Sequence, residues 1–277
     1  DHKDGRAASL NEHGIRYRSG EKEKICRVKT TARVEDIREA DIVFLCVKSY
    51  DLAACLSRCR TFIRPDTLLV FLQNGVSHLK YESELETGTA VFCSTSEGAN
   101  LSGIGLVNHG GTGVTYLGFP GPAYGAQIEQ LDSVASALEK AGVMIECVDD
   151  ITDRLWAKLM VNVGINGLTA INDCQNGDLL VDENLRGEML EAVAEATVIA
   201  EENGVLFETP PQQLCEDVCR RTAENISSML QDVRKKRRTE IDSINGAIVK
   251  EGLELGIETP VNSRIVEKIK QLEAEFG

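Results

Sequence analysis

The chain has 277 residues, with 44 acidic against 30 basic side chains, a net charge of −14 and 42% hydrophobic residues. That length builds one large domain or two of ordinary size, the composition excludes wholesale disorder, and the negative field repels a nucleic-acid backbone. No apolar run reaches the roughly 20 residues of a membrane span. The polar opening DHKDGRAASLNEHG carries no signal-peptide core, so the expected location is cytoplasmic.

The first half alternates short apolar runs with helical patterns, the signature of a parallel sheet covered by helices. DIVFLCV (41–47) leads into YDLAACLSRC, TLLVFLQ (67–73) into a helical segment near 77–85, and TAVFCST (89–95) follows. GLVNHGG and GVTYLGF then read as a hairpin turning at the glycine-rich NHGGTG, before a helix near 125–141 and a strand VMIECV. NHGGTG lacks the spacing of a phosphate loop. From about residue 150 the pattern becomes long and amphipathic, as in GEMLEAVAEATVIAEENG (187–204), and Pro260 opens a last helix with Thr259 as its cap. The expected class is therefore α/β, with a Rossmann-like parallel sheet domain at 1–149 followed by an all-α domain at 150–277.

A Rossmann-type sheet starts with a strand, a GxGxxG turn and a helix, whose N-terminus takes the pyrophosphate of a dinucleotide. That fingerprint does not occur here. The opening DHKDGRAASL reads as the stretch just past the second strand of such a domain, which places roughly the first βαβ segment upstream of residue 1. Lys3 and Arg6 would then lie close to a ribose 2′-phosphate, favouring NADP over NAD.

Nine cysteines include no CxxC pair, since Cys55/Cys59 and Cys215/Cys219 are each four apart, and Cys46 and Cys93 read as small core hydrophobes. His2, His13, His78 and His109 show no metal-binding spacing, so no metal is expected. The basic run RKKRR (234–238) reads as a solvated helix face.

Polar residues within apolar stretches carry the functional signal. In DRLWAKLMVNVGINGLTAI (153–171), Lys158, Asn162 and Asn166 recur every four residues and share one face of a helix. Such a stripe lines solvent or a polar cavity, and the apolar residues between favour the cavity. Asn225, Ser227, Ser228 and Glu240 fall in NISSMLQDVRKKRRTEIDSINGAIVKEG, where the Asn and Ser also suit a helix cap. Lys48 and Asn74–Gly75 each follow a predicted strand, at the edge where open α/β sheets take ligands or simply turn into a helix.

Together the strings VKSYD, LQNGV, STSEGA (94–99), LWAKLMVNVGINGLTAI, CQNGDLL and NISSMLQDVRKKRRTEIDSINGAI resemble the 2-dehydropantoate 2-reductase (ketopantoate reductase) family over nearly the whole chain. The resemblance implies NADPH-dependent reduction of 2-dehydropantoate to pantoate, in pantothenate and coenzyme A biosynthesis. It makes Lys158 the proton donor, places substrate on Lys158, Asn162, Asn166, Asn176 and the stretch Asn225, Ile226, Ser227 and Ser228, and turns Lys48, Asn74, Ala99 and Glu240 toward the cofactor. Reduction of another branched 2-oxo acid is the nearest rival, and a non-catalytic assembly module is the rival from a different class. The amphipathic helices permit a homodimer.

Overall fold

The computed structural model describes residues 4–37 and 39–276. Lys3, one of the two basic residues read as near a 2′-phosphate, lies outside them, as does His2. Two compact units emerge, the first comprising residues 1–47, 51–72 and 81–149, the second 48–50, 73–80 and 150–277.

In chain order the first unit runs α1 (Asp4–His13), β1 (Ile15–Ser19), β2 (Lys22–Cys26), β3 (Ile42–Leu45), α2 (Leu52–Cys59), β4 (Leu68–Phe71), the single turn α3 (Tyr81–Glu84) and β5 (Thr89–Thr95). It continues with β6 (Gly98–Gly103), β7 (Leu106–Gly111), β8 (Val114–Gly118), α4 (Ala126–Lys140) and β9 (Met144–Cys147). A five-stranded sheet has the order β3-β4-β5-β8-β9, with β3, β4 and β5 parallel and β8 reversed against β5. The reason β4 forms a central strand is legible in its run LLVF: all four residues are buried, as expected where helices or loops cover both faces. On one face of the sheet Val70, Val91 and Cys93 pack with Leu131, Val134 and Ala135 of α4, and their strand neighbours Phe71 and Phe92, on the opposite face, stack at 5.3 Å. Cys93 is a buried core residue as expected, whereas Cys46, one residue past β3, is exposed.

A second sheet, β2-β1-β7-β6, was not legible in the sequence. It also corrects the hairpin read at NHGGTG. β7 does not turn back onto β8; it pairs antiparallel with β6 and parallel with β1, while β8 joins the other sheet. Thr112–Gly113 is therefore a crossing between sheets. Gly113 is needed there because a Cβ on it would stand 2.6 Å from the Ser96 carbonyl oxygen. The helix expected near 77–85 is reduced to the one turn of α3.

The second unit holds α5 (Thr152–Asn172), α6 (Asp178–Val181), α7 (Glu183–Glu202), α8 (Pro211–Arg221), α9 (Ser228–Arg234), α10 (Asn245–Leu255) and α11 (Pro260–Ala274). α5 is its axis. Gly164 and Gly167 let neighbours close onto it, Gly164 facing Cys215, Val193 and Met189, and Gly167 facing Ile265. Leu159, Met160, Val163, Leu168, Met189, Ile199, Leu230 and Ile269 are fully buried around them. Pro260 does open α11, but the Thr259 side chain makes no cap bond. The Glu195 carboxylate does that work, accepting the N–H groups of Val261 and Asn262 at 2.8 and 3.0 Å. RKKRR is solvated but is not one helix face: α9 ends at Arg234, Lys236 takes a left-handed φ of 49°, and Arg237 N–H returns to the Asp232 carbonyl. Among the described residues no helix is long and apolar enough to cross a membrane.

Candidate functional site

α5 buries most of its circumference, and Lys158, Asn162 and Asn166 interrupt that apolar surface one turn apart. Lys158 and Asn162 are half-buried and Asn166 is buried. The Asn162 Nδ2 is itself buried and has no hydrogen-bond partner among the described residues. An amide donor left in that state costs roughly 1–3 kcal/mol, so the position makes physical sense if an acceptor from outside the chain arrives.

A second constellation forms around the carboxylate of Glu240, just before the 3-10 turn Ile241–Ser243. Its Oε1 accepts the backbone N–H of Ser49 at 3.1 Å and the Ser49 hydroxyl at 3.0 Å. Its Oε2 accepts Asn74 Nδ2 at 3.1 Å and Lys48 Nζ at 3.1 Å. Lys48 also donates to Asp232 at 2.8 Å, so one ammonium stands between two carboxylates. Ser243 Oγ donates to Ser49 Oγ at 2.8 Å. Burial pushes the Glu240 carboxyl up, but Lys48 and the bonds from Ser49 and Asn74 outweigh it and hold it below its ordinary value. Burial acts the other way on Lys48, and again the partners win: Glu240 and Asp232 hold the ammonium above its ordinary value. Both groups are charged at neutral pH. Gly75 has φ +85°, and a side chain there would strike the Ser243 carbonyl oxygen.

His78 joins the two groups electrostatically. It is 2% exposed, and burial first, then the Lys158 charge, lower its pKa to about 4 against an opposing pull from Glu240. The imidazole is therefore neutral at pH 7.

The remaining predicted residues fall in two places. The Asn176 N–H donates to the Asn225 carbonyl at 3.0 Å and its Nδ2 to Thr222 Oγ1 at 2.9 Å, while its Oδ1 is buried without a partner among the described residues. Ser227 caps α9, its Oγ accepting Leu230 N–H at 3.1 Å and lying 2.7 Å from Thr169 Oγ1, one turn beyond Asn166 on α5. The capping job considered for this stretch is thus what Ser227 does in the structure. Asn225 and Ser228 are exposed and Ile226 is half-buried against the helical core. Ala99 belongs to the first unit, exposed on β6 opposite His109. Arg6 lies in α1. The structure brings Lys48, Asn74 and Glu240 together directly.

Sequence reasoning missed Ser49, His78, Asp232 and Ser243 as parts of this site. Ser49 directly follows Lys48 and His78 comes four residues after Asn74, and that nearness in sequence to residues already singled out was the available signal. Among the described residues no group of three or more His, Cys, Asp or Glu could hold a metal ion.

Two family models match the chain: residues 1–121 fit "Ketopantoate reductase PanE/ApbA" and 150–273 fit "Ketopantoate reductase PanE/ApbA C terminal". The 2-dehydropantoate 2-reductase of Archaeoglobus fulgidus is 35% identical over 275 residues, covering 98% of this chain and 88% of the relative. That of Vibrio cholerae is 35% identical over 250 residues, 88% of this chain and 81% of the relative. Among solved structures, a PanE/ApbA family ketopantoate reductase from Ralstonia eutropha superposes with a TM-score of 0.90 at 25% identity, over 99% of this chain and 89% of that one. A D-mandelate dehydrogenase solved with NADH and anilino(oxo)acetate gives 0.89 at 25% identity, over 98% and 88%. On these matches, which span both units, the chain belongs to the ketopantoate reductase PanE/ApbA family.

Proposed function

We propose that the chain reduces 2-dehydropantoate (ketopantoate) to pantoate with NADPH, and that Lys158 is the proton donor. The observation that carries this reading is the face of α5, where an ammonium and a buried, unsatisfied amide donor stand one turn apart in an otherwise apolar helix. Reduction of a ketone builds negative charge on its oxygen. Lys158 is the cation to meet that charge and then release a proton, a general-acid contribution of roughly 10² to 10⁴ in rate. Asn162 and Asn166 donate to oxygens of the substrate without adding a competing cation. Asn176, with a free carbonyl oxygen, suits a substrate hydroxyl. Ser227 is committed to its cap, so the carboxylate would be met by the backbone and neighbouring side chains of the Asn225–Ser228 stretch.

When bound, NADPH supplies the hydride. The donor set suits its nicotinamide end: Lys48 and Asn74, immediately downstream of β3 and β4, present an ammonium and an amide held in place by Glu240. Ala99 and Glu240 belong to the same proposed set. No residue is assigned to the pyrophosphate, since the sequence has no GxGxxG. The preference for NADPH over NADH rests on Arg6 as a contact for the 2′-phosphate. A cytoplasmic homodimer completes the proposal.

The test is loss of NADPH absorbance with ketopantoate, alongside NADH and an aryl 2-oxo acid of the kind a mandelate dehydrogenase handles. Turnover highest with ketopantoate and NADPH, falling by roughly 10² to 10⁴ in Lys158→Ala, is the expected result. Near-normal turnover in Lys158→Ala would sink the assigned role. Preference for the aryl substrate would keep the reductase and replace its substrate.

A further inference from the structure

Outside this site, three cysteines of the first unit converge. Cys55 and Cys59 lie one turn apart on α2 with their sulfurs 3.9 Å from each other, Cys55 half-buried and Cys59 buried. Cys46, just past β3, is close enough for the Cys55 charge to act on it. We propose that Cys55 and Cys59 are a redox-active dithiol that a small-molecule disulfide, of the class of oxidised glutathione, converts into a disulfide within α2.

The geometry assigns the roles. Cys55 is accessible enough to meet a small reagent, and the hydrogen bond shared between the two sulfurs, first among the causes, lowers the Cys55 pKa to about 7, with Arg58 helping against burial and Asp51. That matches the optimum for an attacking thiol near ambient pH. Cys59 is buried, and the same shared hydrogen bond, then burial, push its thiol up, so it waits for the second step. The Cys46 sulfur is raised by desolvation and by Cys55, so it is the poorer nucleophile although the residue is exposed.

In the first step the Cys55 thiolate attacks one sulfur of the reagent, breaking its S–S bond and releasing one thiolate. In the second, Cys59 gives up its proton to solvent and attacks the Cys55 sulfur, expelling the other thiolate. The reagent takes up two electrons and the protein loses two hydrogens. Helix neighbours four apart have Cβ atoms about 5–6 Å apart, whereas a disulfide needs about 3.5–4.5 Å. Closure therefore tightens the last turn of α2, which Cys59 terminates. A strained bond of that kind has a high reduction potential and reopens easily, as a reversible modification requires.

The test treats the full chain with oxidised glutathione at neutral pH, blocks remaining thiols and digests with trypsin. Cleavage after Arg38, Lys48, Arg58 and Arg60 puts Cys46, Cys55 and Cys59 in three separate peptides, 39–48, 49–58 and 59–60. The expected wild-type product is 49–58 linked to 59–60, short of two hydrogens. Cys59→Ser should instead keep a stable glutathione adduct on 49–58, and Cys55→Ser should lose both products. A wild-type protein that retains the adduct on Cys55 as fully as Cys59→Ser does, links Cys46 to Cys55, or leaves the pair unmodified while other cysteines react overturns the proposal.

Discussion

Acid should weaken the second unit through His78 before it protonates most carboxylates. An unfolded histidine titrates near 6.5, whereas His78 in the fold titrates at about 4, chiefly because burial opposes the charged form. The folded pKa is the lower one, so the unfolded chain binds the proton first. Stability is therefore complete above about pH 6.5, falls as the pH drops toward about 4, and levels off below. The gap between about 6.5 and about 4 corresponds to about 3 kcal/mol, of which about 2 kcal/mol is already lost at about pH 5. The assay is urea unfolding followed by Trp156, the single tryptophan of the chain, buried in α5 of the same unit. With a slope of about 1–3 kcal/mol per molar urea, the wild-type midpoint should fall by about 1 M between pH 8 and pH 5 beyond what His78→Asn shows. The variant starts lower because it leaves a gap, but that cost does not depend on pH. Equal pH sensitivity in the two proteins would refute a neutral, buried His78.

Three further substitutions test the packing that holds the site. Gly164→Ala puts a methyl 2.6 Å from Cys215 Sγ and 2.8 Å from Val193, and should cost about 1–3 kcal/mol in the same urea assay; a neutral result would mean that α7 and α8 yield freely around α5. Glu195→Ala removes the acceptor for two N–H groups of α11 and for Asn262 Nδ2 at 2.8 Å, and should cost about 1–2 kcal/mol, with faster amide exchange at Val261 and Asn262 as the local readout. Gly75→Ala combines a left-handed backbone with a clash against Ser243, displacing Asn74 from Glu240. If the proposed cofactor set is right, its signature is a raised KM for NADPH, with stability in the same urea assay lowered by about 1–3 kcal/mol; an unchanged KM would detach that loop from cofactor binding.

The features legible in the sequence share one property: they depend on neighbours within a few residues. Lys158, Asn162 and Asn166 could be placed on one face because α5 imposes its period on any residue within it. Ser227 was readable as a cap because a cap is completed three residues later, here at Leu230. The crossing at Thr112–Gly113 was misread because glycines look alike whether a chain turns back or leaves the sheet. What decides is β1, whose Arg16 pairs with Leu106, and no local signal in β7 announces that partner.

The Glu240 constellation is the extreme of this dependence. Its donors Lys48, Ser49 and Asn74 stand 166 to 192 residues away in sequence, so Ser49 could not be tied to it before the fold was known, and Asp232, though close to Glu240 in sequence, joins it only through Lys48. Their convergence also explains why the second unit is not one continuous stretch of chain. Residues 48–50 and 73–80 group with the helices because Ser49 and Asn74 donate to a buried carboxylate there, and Gly75 admits Ser243 at close range. A buried carboxylate left without those donors and without Lys48 would be strongly destabilising. The same bonds that keep Glu240 charged thus hold the segments following β3 and β4 in the unit that carries Lys158, as the proposed cofactor-facing and proton-donating roles of Lys48, Asn74 and Lys158 require.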